Sequence, residues 1–537
     1  MPMPVTLAAL VALDWVVLVG YLALVVAIGL IASRKQRDVE DYFLGGRRMP
    51  TWAVSLSVLA TSLSAATFVG VPQLSYGGDL SYLVLTPGGI VAVLVIAFVF
   101  IPAFYRAGTL TIYGYLQQRF GETAQIAVAV MFLIGRLFAS GARLFIAAIP
   151  VTLLLFGLDG VTGPNLALAV LLLGVIGTAY TAVGGIRAVI WTDVCQIIVV
   201  VGVAVLSIAL LLRAIPLDVG GIVDLLRSAG DEGASKLRLV NTSSSISQPF
   251  TLWTGLFAIV FLNTASYGID HDLVQRMLTC KSAWRGGASL VAANLIGVPV
   301  IALFLVIGLL LFIFYNRPDV MGAAAPTDTL TESHQVFAQY LLAHLPTGVT
   351  GLAMAGLFAA AMSSFDSAVS AMAASCHADL VQPLRKRARG GGSGSGAAPV
   401  QPAPGGMRAS RLAVLGMGAL LTGFAILAAL QYDPDEQTLI GFALGVMSYA
   451  YAGMLGVFLT GLLTRRGSTA SVLAALAVGA LVVVLLQPGL ANTWTRWLLG
   501  EPTTIAFPWW MVFGTGSSFL VCLAGAPTRI EQGDRSA

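Results

Sequence analysis

The chain has 537 residues, of which 57% are hydrophobic and only 10% are charged. A soluble globular domain carries roughly 25% charged residues, so this composition excludes a soluble protein and requires lipid around most of the surface. The formal net charge is only +4, so the position of the basic residues says more than their total. The four cysteines fall in predicted membrane helices or cytoplasmic segments, where a disulfide framework is not expected.

Thirteen apolar runs are predicted to cross the membrane, since a transmembrane helix needs roughly 20 such residues. The runs lie near residues 14–33, 51–77, 82–105, 124–157, 164–183, 186–214, 250–269, 288–315, 347–378, 411–431, 437–463, 467–488 and 505–525. Several are longer than one crossing requires, which predicts tilted or broken helices. The first run has its basic cluster after it rather than before it, which predicts an uncleaved helix and not a signal peptide.

The basic residues indicate the orientation, because cytoplasmic segments of membrane proteins are enriched in Lys and Arg. With the N-terminus outside, 21 of the 29 basic residues fall in segments assigned to the cytoplasm. We therefore expect a multi-pass protein of the cell (inner) membrane, with its N-terminus outside and its C-terminus in the cytoplasm. Residues 388–407 are rich in Gly, Ser and Pro, which predicts a flexible cytoplasmic linker.

The second run carries a high density of hydroxyl side chains. They are Ser57, Thr61, Ser62, Ser64 and Thr67, spread over about three helical turns. Small and hydroxylic residues favour an unwound segment at mid-membrane, where freed carbonyls hold a cation and hydroxyls hold a polar solute. The alternative is that these residues only support close packing between helices.

The ninth run contains a second polar cluster, from Ala360 to Ser367. Helical spacing places residues 360, 363, 364 and 367 on one face, with Asp366 beside them. The hydroxyls and the carboxylate form an all-oxygen set of the kind that alkali cations prefer. The alternative, a serine-rich packing seam, leaves a costly intramembrane carboxylate unexplained. Another buried acid, Asp193, lies in the sixth run and also needs a partner.

Two arginines lie inside the fourth run. Arg136 and Arg143 are seven residues apart, so they share one helix face, and that face must be turned towards protein or water. One interpretation is that they capture an anionic group of a solute, because guanidinium matches carboxylate geometry. The other is an ion pair with Asp193 or Asp366, which we favour for Arg136 because it lies nearer the cytoplasmic end.

Four short stretches form a recognisable set. They are Asp41-Tyr42-Phe43-Leu44-Gly45-Gly46, Trp191-Thr192-Asp193, Asp272-Leu273-Val274-Gln275-Arg276 and Ser363-Ser364. Together they resemble the sodium/solute symporter family, which includes the sodium/glucose, proline and sialic acid transporters. The resemblance implies an all-α polytopic membrane protein with a leucine-transporter-like core of two inverted five-helix repeats. Residues 1–40 would form an extra helix, 41–465 the core, and 466–537 two further helices with a short tail.

The resemblance also implies ion-binding residues. The family holds one sodium ion between backbone carbonyls of the broken first core helix and oxygens of the eighth. The matching positions are Ala60, Leu63, Ala360, Ser363 and Ser364. Similarity to the sialic acid transporters implies a second ion site, with Asp193 and Ser367 joining the two serines. Asp366 replaces a serine of that branch and adds a negative charge. Whether the second site binds a sodium ion or a proton is therefore left open.

For the solute, the same resemblance implies mostly neutral contacts. They are Ser62, Ser64, Thr67, Thr86 and Asn263, together with Arg143 as a carboxylate partner. Where the sugar transporters have an acidic solute contact and a glutamine, this chain has Thr86 and Thr67. A plain hexose site would therefore have lost its best hydrogen-bonding partners.

These observations predict a sodium-coupled symporter that imports a small polar organic solute of the sugar or sugar-acid kind. A sialic-acid-like carboxylate is favoured, because an embedded arginine such as Arg143 needs a partner. The alternatives are a neutral sugar such as glucose or galactose, an amino acid or a monocarboxylate. A sodium-responsive sensor or a channel on the same fold would be a different class.

The chain shows no sign of an enzyme. Its four histidines form no His-Glu-x-x-His pattern, and no phosphate-binding glycine loop is present. We expect Na+ as the cofactor and no transition metal. The expected partners are the solute, Na+ and the lipid bilayer, without nucleic acid and without an obligate protein partner.

Overall fold

A computed structural model describes residues 11–32, 36–156, 160–230, 235–326, 336–388, 406–431 and 438–526. These residues are almost entirely helical and contain no β-strand. By length and composition, seven of the described helices qualify as membrane spans, or nine if each of two bent pairs counts as one span. Every predicted run overlaps helical residues, but the total of thirteen spans stays a prediction. Most of the predicted linker at 388–407 lies outside the described residues.

The helices are numbered in chain order. The first eleven are α1 (Ala12–Ala32), α2 (Val39–Leu44), α3 (Thr51–Ser62), α4 (Ala65–Gly77), α5 (Thr86–Val95), α6 (Ile101–Ala107), α7 (Tyr113–Phe120), α8 (Glu122–Phe156), α9 (Gly163–Ala214), α10 (Val219–Ser228) and α11 (Ile259–Gly268). The others are α12 (His271–Leu278), α13 (Ala283–Asn316), α14 (Pro318–Met321), α15 (Val336–Ala343), α16 (Val349–Ser375), α17 (Gln382–Ala388), α18 (Gly406–Leu430), α19 (Thr438–Leu463), α20 (Thr469–Leu485), α21 (Pro488–Leu499) and α22 (Phe507–Leu523). Segments of π-helix lie at Ile96–Phe100, Thr254–Ala258 and Cys376–Val381, and 3-10 turns lie at Gly45–Arg47, Ser81–Leu85 and Gly322–Ala324.

Two interruptions that the sequence predicts are present in the backbone. Leu63, with φ −92° and ψ 89°, separates α3 from α4. Ser64 then begins α4 as its N-cap, since its side chain accepts a backbone N–H three residues further on. In α9, Gly185 has φ 56° and ψ −163°, and a Cβ at this position would lie 2.6 Å from the carbonyl oxygen of Tyr42. Only glycine fits there, so α9 is two helical segments joined at Gly185.

The helix α16 lies at the centre of the molecule. In the apolar part of Val349–Arg385, 94% of the residues are buried, compared with 22% in α1. A helix that is covered on all sides packs against several neighbours, and α16 contacts α1, α3, α8, α9 and α18. The polar cluster that the sequence places on α16 is therefore enclosed by protein rather than by lipid.

The N-terminal helix α1 is joined to the beginning of α16. The Asp14 carboxylate, which is 2% exposed, accepts hydrogen bonds from the backbone N–H groups of Gly348 at 2.7 Å and Gly351 at 2.9 Å. A Cβ on Gly351 would lie 2.5 Å from the Asp14 carbonyl oxygen, so the glycine permits this approach. A negative side chain therefore caps the positive end of the central helix.

Candidate functional site

Four of the five predicted sodium-binding residues, Ala60, Ala360, Ser363 and Ser364, lie where α3 faces α16, and the fifth, Leu63, directly follows α3. The Ser363 hydroxyl donates a hydrogen bond of 2.7 Å to the carbonyl oxygen of Ala60, which joins the two helices. The hydroxyl of the next residue, Ser364, lies 3.5 Å from the carbonyl oxygen of Ala360, one turn earlier in α16. Because α3 ends just before Leu63, the carbonyls of its last turn lack the N–H partners of a continuous helix. The crossing thus offers uncharged carbonyl and hydroxyl oxygens, which suit a hard monovalent cation.

The three residues predicted for a second ion also lie together. The Ser367 hydroxyl is 3.2 Å from Asp366 Oδ1, and the Tyr180 hydroxyl donates to the other oxygen of Asp366. Asp193 approaches from α9 and accepts a hydrogen bond from Ser57 on Oδ2. Its other oxygen, Oδ1, is buried and has no hydrogen-bond partner among the described residues. An unpartnered buried carboxylate oxygen is costly, so this atom suits a cation ligand.

A cation that the sequence interpretation missed, Arg276, lies between these groups. Its guanidinium is fully buried, with Nη2 at 3.1 Å from Asp193 Oδ2 and Nη1 at 3.2 Å from Asp272 Oδ1. The Nη2 group also donates to the hydroxyl of Ser367. Arg276 was counted as a charge of a cytoplasmic segment, but the short helix α12 that carries it is buried. The i, i+4 spacing of Asp272 and Arg276 was the one local signal for this pair.

The predicted partners of Arg136 are wrong. Its guanidinium pairs with Asp270 and Asp272 of α12, with Nη1 at 3.1 Å from Asp272 Oδ2, and not with Asp193 or Asp366. The reason is that α12 folds into the interior beside α8. These contacts form a charged network, which consists of Arg136, Asp193, Asp270, Asp272 and Arg276 and, through the Ser367 hydroxyl between it and Arg276, Asp366. Tyr451 of α19 donates a hydrogen bond to Asp270 and extends the network to a further helix.

Arg143 lies beside this network and not in the ion site. It is near enough to Arg136, Tyr451, Asp272 and Asp270 to interact electrostatically with each of them. Among the side chains that the structure describes, no carboxylate lies within 4.0 Å of its guanidinium. Its side chain is only partly buried. The nearest charges available to Arg143 are therefore those of the protein.

A cavity of about 350 Å³, the solute cavity, lies between the broken α3–α4 pair, α5, α11, α13 and the beginning of α22. Four of the six predicted solute contacts line it, namely Ser62, Thr67, Thr86 and Asn263. The other two do not. Ser64 is buried as the cap of α4, with its hydroxyl 3.3 Å from that of Thr67, and Arg143 is not part of the lining.

Three polar residues of the solute cavity were missed by the sequence interpretation, namely Tyr82, Tyr267 and Asn294. Asn294 and Asn263 lie beside Gly89, where an added Cβ would be 3.7 Å and 3.1 Å from their amide nitrogens. The signal for Asn294 was an amide within a long apolar run, which is as unusual as the amide of Asn263. Among the described residues that line this cavity, none is charged.

Comparisons with known proteins agree with this geometry. The model of the sodium:solute symporter family matches residues 42–479. Sodium-coupled monocarboxylate transporter 1 of Homo sapiens is 30% identical over 491 residues, which is 89% of this chain and 74% of the transporter. Sodium/sialic acid symporter SiaT of Proteus mirabilis is 28% identical over 486 residues, which is 89% of this chain and 90% of the symporter.

The fold is similar to that of solved transporters. A structure described as the substrate-bound outward-open state of a Na+-coupled sialic acid symporter superimposes with a TM-score of 0.77 at 23% identity, covering 96% of this chain and 98% of that one. The nucleobase-cation-symport-1 transporter Mhp1, in a closed conformation, gives 0.53 at 15% identity, covering 89% of this chain and 92% of that one. The chain thus has an all-α fold with the inverted-repeat core of these structures.

The chain belongs to the sodium:solute symporter family. Its members are transporters, so the prediction of a sodium-coupled solute symporter rather than an enzyme is confirmed at that level. Na+ as the coupling ion is likewise supported by the sodium-coupled relatives and by the Na+-coupled structure.

Proposed function

We propose that this symporter carries a small, neutral, polyhydroxylated solute of the sugar kind, bound in the solute cavity. The observation that supports this is the lining, which has amides and hydroxyls but no charged side chain among the described residues. Asn263 and Asn294 supply donors and acceptors on one side, and Thr67 and Thr86 supply hydroxyls on another. This choice differs from the carboxylate favoured by the sequence, because Arg143 does not line the cavity and the acidic groups nearest to it belong to the protein.

The coupling ion in this proposal is held by oxygens of Ala60, Leu63, Ala360, Ser363 and Ser364. Asp193, Asp366 and Ser367 hold a second cation, either Na+ or a proton. Arg276 already offsets one negative charge there, whereas Asp366 is held by the hydroxyls of Tyr180 and Ser367 and has no ion pair among the described residues. The protein is proposed to lie in the cell (inner) membrane with its N-terminus outside, its C-terminus cytoplasmic, and no obligate protein partner.

A sugar acid is the second candidate solute. The relatives include symporters named for sialic acid from Proteus mirabilis and Aliivibrio fischeri. In that case Arg143, which is only partly buried, would turn from its acidic neighbours to the solute carboxylate.

The two candidates are separated by a stabilisation screen of the purified protein with and without Na+. Neutral sugars, sialic acid, lactate and neutral amino acids are added in turn, and ligands that raise Tm only with Na+ are then tested for uptake into proteoliposomes. We expect a neutral sugar to raise Tm and Arg143→Lys to leave its affinity unchanged. Stabilisation by sialic acid alone, lost in Arg143→Lys, would establish the sugar acid instead. Flux through the protein without coupling to Na+ would indicate a channel.

A further inference from the structure

A second cavity, of about 400 Å³, lies on the outside of the helix bundle. It shares no lining residue with the solute cavity. It is formed where the π-helical segment and α6 meet α7 and the end of α19. Its apolar wall includes Phe98, Ala103 and Leu462, and its polar end includes Arg106 and Gln118. We call it the lateral groove. One end suits a hydrocarbon chain and the other suits an anion.

The apolar end of the lateral groove faces the surrounding membrane. Phe98 is 62% exposed, and its ring lies 6.3 Å from that of Trp284, which is 72% exposed at the beginning of α13. Large exposed aromatic side chains at the ends of membrane helices are typical of the boundary between hydrocarbon and headgroups. An acyl chain is therefore the available neighbour for this end.

The polar end carries an available guanidinium. Arg106 follows Phe98 by eight residues, a rise of about 12 Å along the helix, so its guanidinium lies on the headgroup side of Phe98. Its Nε donates a 3.2 Å hydrogen bond to the carbonyl of Pro102, which turns the side chain back towards the membrane. Among the described side chains Arg106 has no ion pair. Gln118 lies beside it and donates to the carbonyl of Ala107 at 3.0 Å.

The local charge favours an anion. Arg106 lines the groove, and Arg119, Arg465 and Arg466 follow its lining residues Gln118 and Leu462 within four positions of the chain. No acidic residue occurs between positions 96 and 121, after which Glu122 begins α8, or between 441 and 500. Arg119 is anchored by donating to the carbonyl of Thr464 at 2.8 Å, so its charge stays near the groove. Asp379, the buried acid that Thr111 contacts, is already held by three hydroxyl and amide donors.

We propose that the lateral groove binds an anionic phospholipid of the leaflet on this side, which the distribution of basic residues predicts to be cytoplasmic. The phosphodiester pairs with Arg106 and an acyl chain lies along Phe98 and Ala103. Guanidinium and phosphate form charge-assisted hydrogen bonds, and basic clefts between membrane helices suit such headgroups. The bound lipid would join α6 and α7 to α19. This site is independent of the solute and of sodium.

The test measures binding of dioleoyl phosphatidylglycerol to the delipidated full-length protein by native mass spectrometry and by thermal shift. Dioleoyl phosphatidylcholine is the zwitterionic comparison, and glycerol 3-phosphate tests the headgroup without its chains. We expect phosphatidylglycerol to bind and to raise Tm more than the other two. Arg106→Gln should weaken its binding about fivefold, the effect of one arginine near an anionic lipid surface.

The matched control is Arg285→Gln, which removes an exposed arginine of the same face outside the groove. It should leave phosphatidylglycerol binding unchanged. Ala103→Leu keeps every charge but fills the groove, and it should also weaken binding. Equal binding of both lipids, or equal losses in Arg106→Gln and Arg285→Gln, would overturn the proposal. Full stabilisation by glycerol 3-phosphate would overturn the lipid and establish a site for a free phosphate ester.

Discussion

The charged network and the solute cavity lie in the same helix bundle but are built from opposite kinds of side chain. The network joins two arginines and four aspartates, and each of these residues is at most 4% exposed. The solute cavity has amides, hydroxyls and aromatic rings, and none of its described lining residues is charged. Both regions contact α3, so proximity to the broken helix does not explain the difference.

The difference between the two regions follows from what a buried charge requires. A charge enclosed by protein and lipid needs a partner that is always present, because leaving it unpaired is costly. In the structure, helices α8, α9, α12 and α16 lie beside one another and supply such partners. A transported solute leaves in every cycle, and a charge that depended on it would be unpaired in the empty state. Neutral donors in the cavity avoid that cost. Each of the following variants tests one side of this contrast.

The largest effect is expected from Arg276→Gln. The change leaves Asp193 and Asp272 without the cation that they share, and removing one partner of a buried ion pair costs about 3–5 kcal/mol. We expect a low folded yield and a lower Tm in detergent. Arg285→Gln, on the surface outside the network, should leave Tm unchanged. Equal Tm values for the Arg276 variant and the parent would show that the network does not stabilise the bundle.

A smaller and more specific effect is expected from Asn263→Ala. The change removes a neutral hydrogen-bonding group from the cavity wall, which should cost about 1.5 kcal/mol, or roughly tenfold in the Kd of the solute found by the stabilisation screen. The Tm without solute should stay near that of the parent. The matched control is Asn165→Ala, because the Asn165 amide donates to the carbonyl of Gly160 outside the cavity. An unchanged Kd in Asn263→Ala would place the solute elsewhere.

Ser364→Ala is expected to have a similar or smaller effect, on the Na+ dependence of uptake rather than on the Kd of the solute. It removes one proposed ligand oxygen, and coupling between sites is on the order of 1–3 kcal/mol. The Na+ concentration for half-maximal uptake should rise several-fold while the protein is still inserted and folded. Ser289→Ala removes a buried hydroxyl of α13 that donates to the carbonyl of Gly286 and is not a proposed ligand, and it should not alter the Na+ dependence. The same Na+ dependence in both variants would contradict the assignment.

The smallest effect is expected from Asp14→Asn, which keeps an acceptor for the N–H groups of Gly348 and Gly351 but removes the charge. A charge at a helix N-terminus contributes about 0.3–1 kcal/mol. We expect a slight fall in Tm and at most a twofold change in the Na+ dependence. The exposed carboxylate Asp319, changed to Asn, serves as the control. A loss of Na+ dependence as large as in Ser364→Ala would show that α1 positions the ion site.

Much of the site was accessible from the sequence because family motifs and local spacing point to the same positions. Ser62, Thr67, Thr86 and Asn263 were expected to contact the solute, and they line one cavity. Ala60 and Ser363 were expected to share an ion, and they are in direct contact. Both results follow from the resemblance and from the hydroxyl-rich break.

The missed residues have a common cause. Arg276 and Asp270 lie in a short polar stretch that reads as a surface loop, because nothing in its composition indicates that it folds inward as α12. Asn294 is a single amide in an apolar run, and the sequence does not say which face of α13 borders the solute cavity.

By itself the sequence determined that the chain lies in a membrane, since so apolar a composition has no soluble alternative. It also determined where helices are interrupted, because these interruptions depend on local preferences. Ser64, after Leu63, favours the N-cap position of a helix, and Gly185 adopts a positive φ without strain. Only the tertiary structure decided the partners of the buried charges. Arg136 and Asp270 are 134 positions apart, and their ion pair depends on which helix faces meet. Spacing along the chain defines the face of one helix, but packing selects the neighbour that covers it.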